Sequence, residues 1–208
     1  ILTTRNIVDA LAADSKVVLI STSAVGYYGD RGKEVVTEIE PPADDFLGRV
    51  AVDWEKEALA ASDKGARVVL ARFGVVMGKG GGALQQMLPA FKLFAGGPVG
   101  TGKQWFPWVH IHDVAAAMQF LIDHEELNGP FNFTAPEPLR FAQVAATIGK
   151  QLHRPACLKI PGFMLKLTLG EMAGTLLASQ RVVPRRLIDS GYVFQFPRLD
   201  GAIEDLLG

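Results

Sequence analysis

Two stretches constrain the fold of this chain most. VVLIS at 17–21 and RVVLARF at 67–73 are apolar on consecutive residues, not on alternate ones. A strand with one wet face alternates, whereas one that is apolar throughout is covered on both faces, as in a parallel sheet packed between helices. The intervening sequence has the periodicity to supply those helices. Leu2, Ile7, Val8 and Leu11 fall on one face of an opening helix, and helical patterns recur at 46–63, 83–95, 114–124 and 139–152. Further extended segments are expected at 108–111, 131–134 (FNFT) and 157–160 (CLKI), with mostly helical sequence after that. Polar residues 29–45 read as a loop and GKGGG at 78–82 as a turn. The fold class is therefore α/β, a Rossmann-like parallel sheet with a smaller, mostly helical C-terminal region. In such sheets ligands bind at the carboxyl ends of the strands, where the Ser21-Thr22-Ser23 cluster falls.

Composition excludes several function classes. A net charge of −1 gives no expectation of nucleic-acid or anionic-membrane binding. The single cysteine, Cys157, leaves no internal disulfide and no cysteine-built metal site. The most apolar stretch, 162–179, carries Lys166 and Glu171 and is broken by Gly170 and Gly174, too interrupted for a membrane span. The chain starts at Ile1, inside what reads as a helix, so an upstream segment is expected. The expected location is cytoplasmic, or organellar if that segment carries a transit peptide.

Several motifs invite functional readings. GKGGG is not a phosphate loop: Gly74 to Gly78 is one residue short, and Gly80 stands where Ser or Thr would hold magnesium. No G-x-G-x-x-G occurs, so a pyrophosphate loop, if there is one, lies upstream of Ile1. His110 and His112 would share a face of an extended segment and suit a metal pair, but no third ligand stands at suitable spacing. One structural histidine and Asp113 as the cap of a helix from Val114 is the preferred reading. Arg185 and Arg186 read as a solvated helix start, with an anion grip as the alternative.

STSAVGYYGD, ARFGVVMGKGGGAL and WVHIHDVAAA, in that order, resemble the extended short-chain dehydrogenase/reductase superfamily. DWEKEA, FNFTAPEP and the tail LLASQRVVPRRLIDSGYVFQFPRLDGAIEDLL are similar to its nucleoside-diphosphate-sugar epimerase-like (SulA-type) branch, and the likeness runs from Ile1 to Gly208. The resemblance implies residues 1–135 as the remaining part of an NAD(P)-binding domain, with 78–112 contributing to the substrate side, and 136–208 as a family-specific region. It implies NADP or NAD as cofactor of the complete protein, against Ser21, Thr22, Phe73, Gly74 and Val75. It also implies a small-molecule substrate, with nucleotide sugars as the class carried by the branch's name; Trp105, Phe106 and Trp108 read as an aromatic, largely apolar wall of the substrate pocket, with domain-junction packing as the alternative, and His110 is the further substrate-side candidate. Phe106 and Pro107 stand where many sugar-nucleotide epimerases carry a phosphate-binding arginine, which weakens that class.

The superfamily's Tyr-x-x-x-Lys dyad is missing. LGRVAVDWE at 47–55 matches its Y-G-R-S-K-x-x-x-E through Gly48, Arg49 and Glu55, but Leu47 replaces tyrosine and Ala51 replaces lysine. Tyr27, Tyr28 and Tyr192, the chain's three tyrosines, are followed four residues on by Arg31, Gly32 and Phe196, so no shift of alignment restores it. The candidate catalytic residues are then Ser23 and Tyr27, with an unpaired phenol, titrating near ~10, a poor base at neutral pH. The expectation is an epimerase- or oxidoreductase-like protein with a replaced acid/base group. The alternative is a non-catalytic cofactor sensor or interaction protein linked to cell or organelle division, and an unpaired sheet edge would favour a homodimer.

Overall fold

The computed structural model describes residues 1–158 and 177–208. Its centre is a parallel three-stranded sheet in the order β1 (Val18–Ala24), β3 (Arg67–Phe73), β7 (Gly129–Phe133), with Ser23 opposite Arg72 and Ala71 opposite Phe131. The middle strand β3 is buried on five consecutive residues, the apolar run Val68–Ala71 and then Arg72. Its side chains divide by parity. Val68 and Leu70 pack with Val8, Ala58 and Ala61 from the side of α1 (Leu2–Ala10) and α2 (Phe46–Leu59). Val69 and Ala71 pack with Ala117, Leu121 and Phe131 under α4 (Ile111–Asp123). Arg67 sits at the start of β3, where its guanidinium donates to the Leu121 and Leu127 carbonyls at 2.8 Å and satisfies the end of α4.

Three small pairings tie the rest together. β2 (Val35–Val36) runs parallel to β9 (Arg181–Val182), β4 (Val75–Gly78) parallel to β6 (Trp108–His110), and β5 (Trp105–Phe106) antiparallel to β8 (Leu139–Arg140). A second core gathers α3 (Gly82–Lys92), α5 (Phe141–Gln151) and α7 (Leu199–Leu207) around Trp108, Leu84, Ile148 and Ile203. The short α6 (Arg185–Asp189) packs on β7 through Leu187.

Some boundaries depart from the sequence reading. The second helix ends at Leu59 and passes through a 3₁₀ turn to Gly65 at φ +83. α3 stops at Lys92, ahead of the expected 95, and Gly96-Gly97 lie beyond it. Those glycines admit the Phe91 ring and the Leu158 backbone, with which a Cβ would collide. His110, not Asp113, caps α4: its Nδ1 accepts the His112 N–H at 3.1 Å. The strand expected at 157–160 and the apolar stretch 162–179 lie largely outside the described residues.

Candidate active-site cleft

At the carboxyl ends of β1 and β3 lies a cleft of about 440 Å³. One wall is the end of β1 and the turn after it: Ala24, then Val25, Gly26 and Tyr27. A second is a stripe of α2, with Leu47, Val50, Ala51 and Trp54 at the i, i+3, i+4, i+7 spacing of one helix face. Asp45 sets that helix by accepting the Gly48 N–H at 2.7 Å, and Trp54 is pinned by its indole N–H on Thr4 Oγ1 at 2.8 Å. Phe73, Gly74 and Val75 form the third wall, and Trp105, Phe106, Pro107, Ala178 and Gln180 the remainder. Gln180 is fixed by donating to the Val25 and Gly29 carbonyls, both at 2.9 Å.

Beneath the cleft runs a buried polar network. Arg72 pairs with Glu55 through two hydrogen bonds of 2.8 Å, and Ser23 donates to the same carboxylate at 2.7 Å. The third guanidinium nitrogen donates to the Tyr28 hydroxyl at 2.9 Å, which donates to Asn132 Oδ1 at 2.8 Å. Burial works against the Arg72 charge, but its bonds to Glu55 and Tyr28 outweigh burial and raise its pKa, so it stays protonated. Burial pushes the Tyr28 phenol up to about 12. Glu38 closes the network by accepting the Asn132 N–H at 3.0 Å; burial raises its pKa as well.

Strand parity decides where the sequence candidates fall. Ser21 and Ser23 point to the buried face of β1, Thr22 to the other, and none of the three borders the cleft. The Ser23 hydroxyl is committed to Glu55, and Ala24 is the strand-end residue that meets the cleft. Tyr27, Phe73, Gly74, Val75 and Trp105 do line it. Gly74 is glycine for packing, because a Cβ there would collide with the Pro107 carbonyl. Trp108, 1% exposed, belongs to the second core. His110 stacks on Phe196 with ring centroids 3.9 Å apart, and its Nε2 lies 3.3 Å from Asp205 Oδ2 without hydrogen-bond alignment. Burial holds its pKa below the ordinary histidine value.

Asp113 instead holds the chain's tail, accepting from the Gln195 and Phe196 N–H groups at 2.8 and 2.9 Å. Arg186 anchors on the Pro130 carbonyl at 2.7 Å, and Arg185 pairs with Asp189. Among the described residues no cluster of three metal-ligating side chains occurs, and no helix is long and apolar enough to cross a membrane.

The NAD-dependent epimerase/dehydratase family model matches residues 1–133, on which the sheet and three cleft walls are built. The chain belongs to that family. A second match, to a domain of unknown function (DUF1731), covers residues 160–206. The chain is 41% identical over 190 residues to the chloroplastic epimerase family protein SDR39U1 homolog of Arabidopsis thaliana, covering 91% of this chain and 54% of the relative. It is 40% identical to the epimerase family protein YfhF of Bacillus subtilis, covering 91% of this chain and 62% of the relative. The chain thus spans roughly half to two thirds of these proteins. The human epimerase family protein SDR39U1 (isoform 2), solved with NADPH, superposes with a TM-score of 0.93 at 34% identity over 99% of this chain and 70% of that one. A nucleoside-diphosphate sugar epimerase from Corynebacterium glutamicum gives a TM-score of 0.79 at 34% identity, over 100% of this chain and 41% of that one.

Within this epimerase-family fold, Leu47 and Ala51 face the cleft from successive turns of α2. The residue that sequence reasoning missed is Arg72. An arginine inside an otherwise apolar buried strand signals a buried partner, and Glu55 was already in the matching motif.

Proposed function

We propose that the complete protein binds NADP(H) with its nicotinamide end in this cleft, and reduces a small carbonyl compound without a Tyr-x-x-x-Lys dyad. The supporting observation is the cleft itself: an apolar hollow at the carboxyl ends of two parallel strands, walled by Ala24–Gly26 and Phe73–Val75. A flat, weakly polar ring fits those walls, and the NADPH-bound human relative makes NADP(H) the favoured cofactor. Bound there, the cofactor supplies a hydride.

This chain's residues supply the rest. Leu47, Val50, Ala51 and Trp54 exclude water and present an apolar face to the substrate. Tyr27, the one phenol lining the cleft among the described residues, gives a proton to the carbonyl oxygen and recovers it from solvent. Arg72 keeps the Tyr27 ring in place from below.

The test is a fluorescence titration of the full-length protein with NADPH and NADH, followed by incubation of deuteride-labelled NADPH with a short ketone. Saturable binding at micromolar concentration and label in the alcohol are expected. No binding of either nucleotide by folded protein would sink the proposal. Binding without transfer would favour a second reading, a cofactor sensor without chemistry, which the apolar pair Leu47 and Ala51 supports.

A further inference from the structure

A second cavity of about 250 Å³ adjoins the cleft. The two share Val75 and Phe106 as walls. Beyond them it is bounded by Ala83, Met87 and Ala90, one stripe of α3, and by Phe91 and Phe141. Gln86 is its only polar lining residue among those described. No charged side chain lines either hollow among the described residues. The nearby guanidiniums of Arg140 and Arg181 are spent on the Trp105 ring, 3.9 and 4.7 Å from its centroid, and do not form part of the lining.

This lining discriminates between substrate classes. A nucleoside diphosphate sugar brings two phosphates and a ring of hydroxyls, each costly to bury without a charged or hydrogen-bonding partner. An uncharged aliphatic chain has no polar group to desolvate on entering such walls and gains by leaving water. A void beyond the reaction cleft has no use for a compact substrate, but it suits an elongated one.

We propose that the ligand of this protein is an uncharged, elongated, largely aliphatic carbonyl compound. Its head lies beside Tyr27, and its chain passes Val75 and Phe106 into the cavity against α3. The carbonyl head rests on the function proposed above; the tail site rests on the two cavities alone.

The test is calorimetric titration of the full-length protein with straight-chain 2-alkanones of increasing length, with and without NADPH. Affinity should rise about fourfold per added methylene, from ~0.8 kcal/mol per buried CH₂, and then level off once the second cavity is full. Ala90→Leu, which narrows that cavity, should bring the plateau at shorter ketones, and Met87→Ala, which widens it, at longer ones. Affinity independent of chain length, or a plateau unmoved by both variants while their circular dichroism matches the parent, would overturn the tail site. Displacement of a bound ketone by micromolar UDP-glucose would overturn the substrate class. Ketones binding with this length dependence while NADPH fails to bind would sink the proposed reduction and leave the tail site standing.

Discussion

The Arg72 guanidinium carbon lies 3.5 Å from the centre of the Tyr27 ring, so the one phenol of the cleft rests on a buried, permanently charged group. The superfamily places its cation four residues after the tyrosine on one helix; here a cation reaches a tyrosine from the neighbouring strand. Arg72 does not line the cleft, so it acts through Tyr27 as a positioning residue. Its own position depends on Glu55, which two of its three guanidinium nitrogens and the Ser23 hydroxyl address.

Arg72→Met is expected to destabilise the protein by about 3–5 kcal/mol, because Glu55 would be left buried and unpaired. The double variant Arg72→Met/Glu55→Gln should recover part of that loss, since no lone charge remains. Urea unfolding of the four proteins of this cycle measures both. Additive losses would mean that the two side chains do not form the buried pair described.

The adjacent tyrosines should separate cleanly. Tyr28→Phe removes the hydroxyl that accepts from Arg72 and donates to Asn132, and should cost about 1–3 kcal/mol of stability. Tyr27→Phe should change stability by less than about 0.5 kcal/mol while lowering kcat for ketone reduction by roughly 10²-fold or more. Thermal melts and label-transfer rates on both variants decide this. Equal rates in wild type and Tyr27→Phe would remove Tyr27 as proton donor.

These residues also mark how far the sequence could be read. Strand β3 is legible because Val68 to Ala71 are consecutively apolar, and α2 because Asp45 caps a clear helical stripe. β4 escapes notice because Val75–Gly78 is four residues long, flanked by glycine, and paired with Trp108–His110 some thirty residues away. A local pattern carries no record of such a partner. The orientation of Ser23 escaped for a different reason: in a strand a shift of one residue exchanges the faces. Only the fold shows that Ala24 meets the cleft. Trp108 and His110 read as site residues because aromatic and imidazole groups suit pockets equally well as cores, and their burial is set by α5 and α7, far along the chain.

His110 gives the fold an acid-sensitive point. Desolvation outweighs the neighbouring Asp205 and Asp113 carboxylates and holds its pKa below the ordinary 6.5. Unfolded chain therefore binds this proton more readily than folded chain, and the stability present above pH 6.5 is lost as pH falls through the lower folded value. His110→Asn keeps an acceptor for the helix cap but cannot titrate. Its unfolding free energy should show a flatter slope than wild type below that pH, at some cost at neutral pH from the lost stacking on Phe196. Parallel slopes would show that other groups carry the acid response.

The apolar pair Leu47 and Ala51 can be changed to ask what it does in the cleft. Leu47 is 39% exposed and Ala51, 7% exposed, lines the same face one turn on, so Leu47→Tyr/Ala51→Lys directs a phenol and an ammonium towards the cleft. Four residues apart on a helix, the two side chains meet, and the lysine favours the phenolate. In the full-length protein with NADPH, the double variant is expected to raise kcat for a short ketone by roughly 10²–10⁴-fold, the usual range of general acid–base catalysis. It should also weaken binding of long ketones, because the introduced ammonium would put a charge where the wild-type wall is apolar. A gain in turnover with a loss of long-chain affinity would mean that the cleft gave up proton transfer in exchange for apolar ligand binding. An unchanged rate with NADPH still bound would place the barrier elsewhere, in how the substrate is held against the Phe73–Val75 wall.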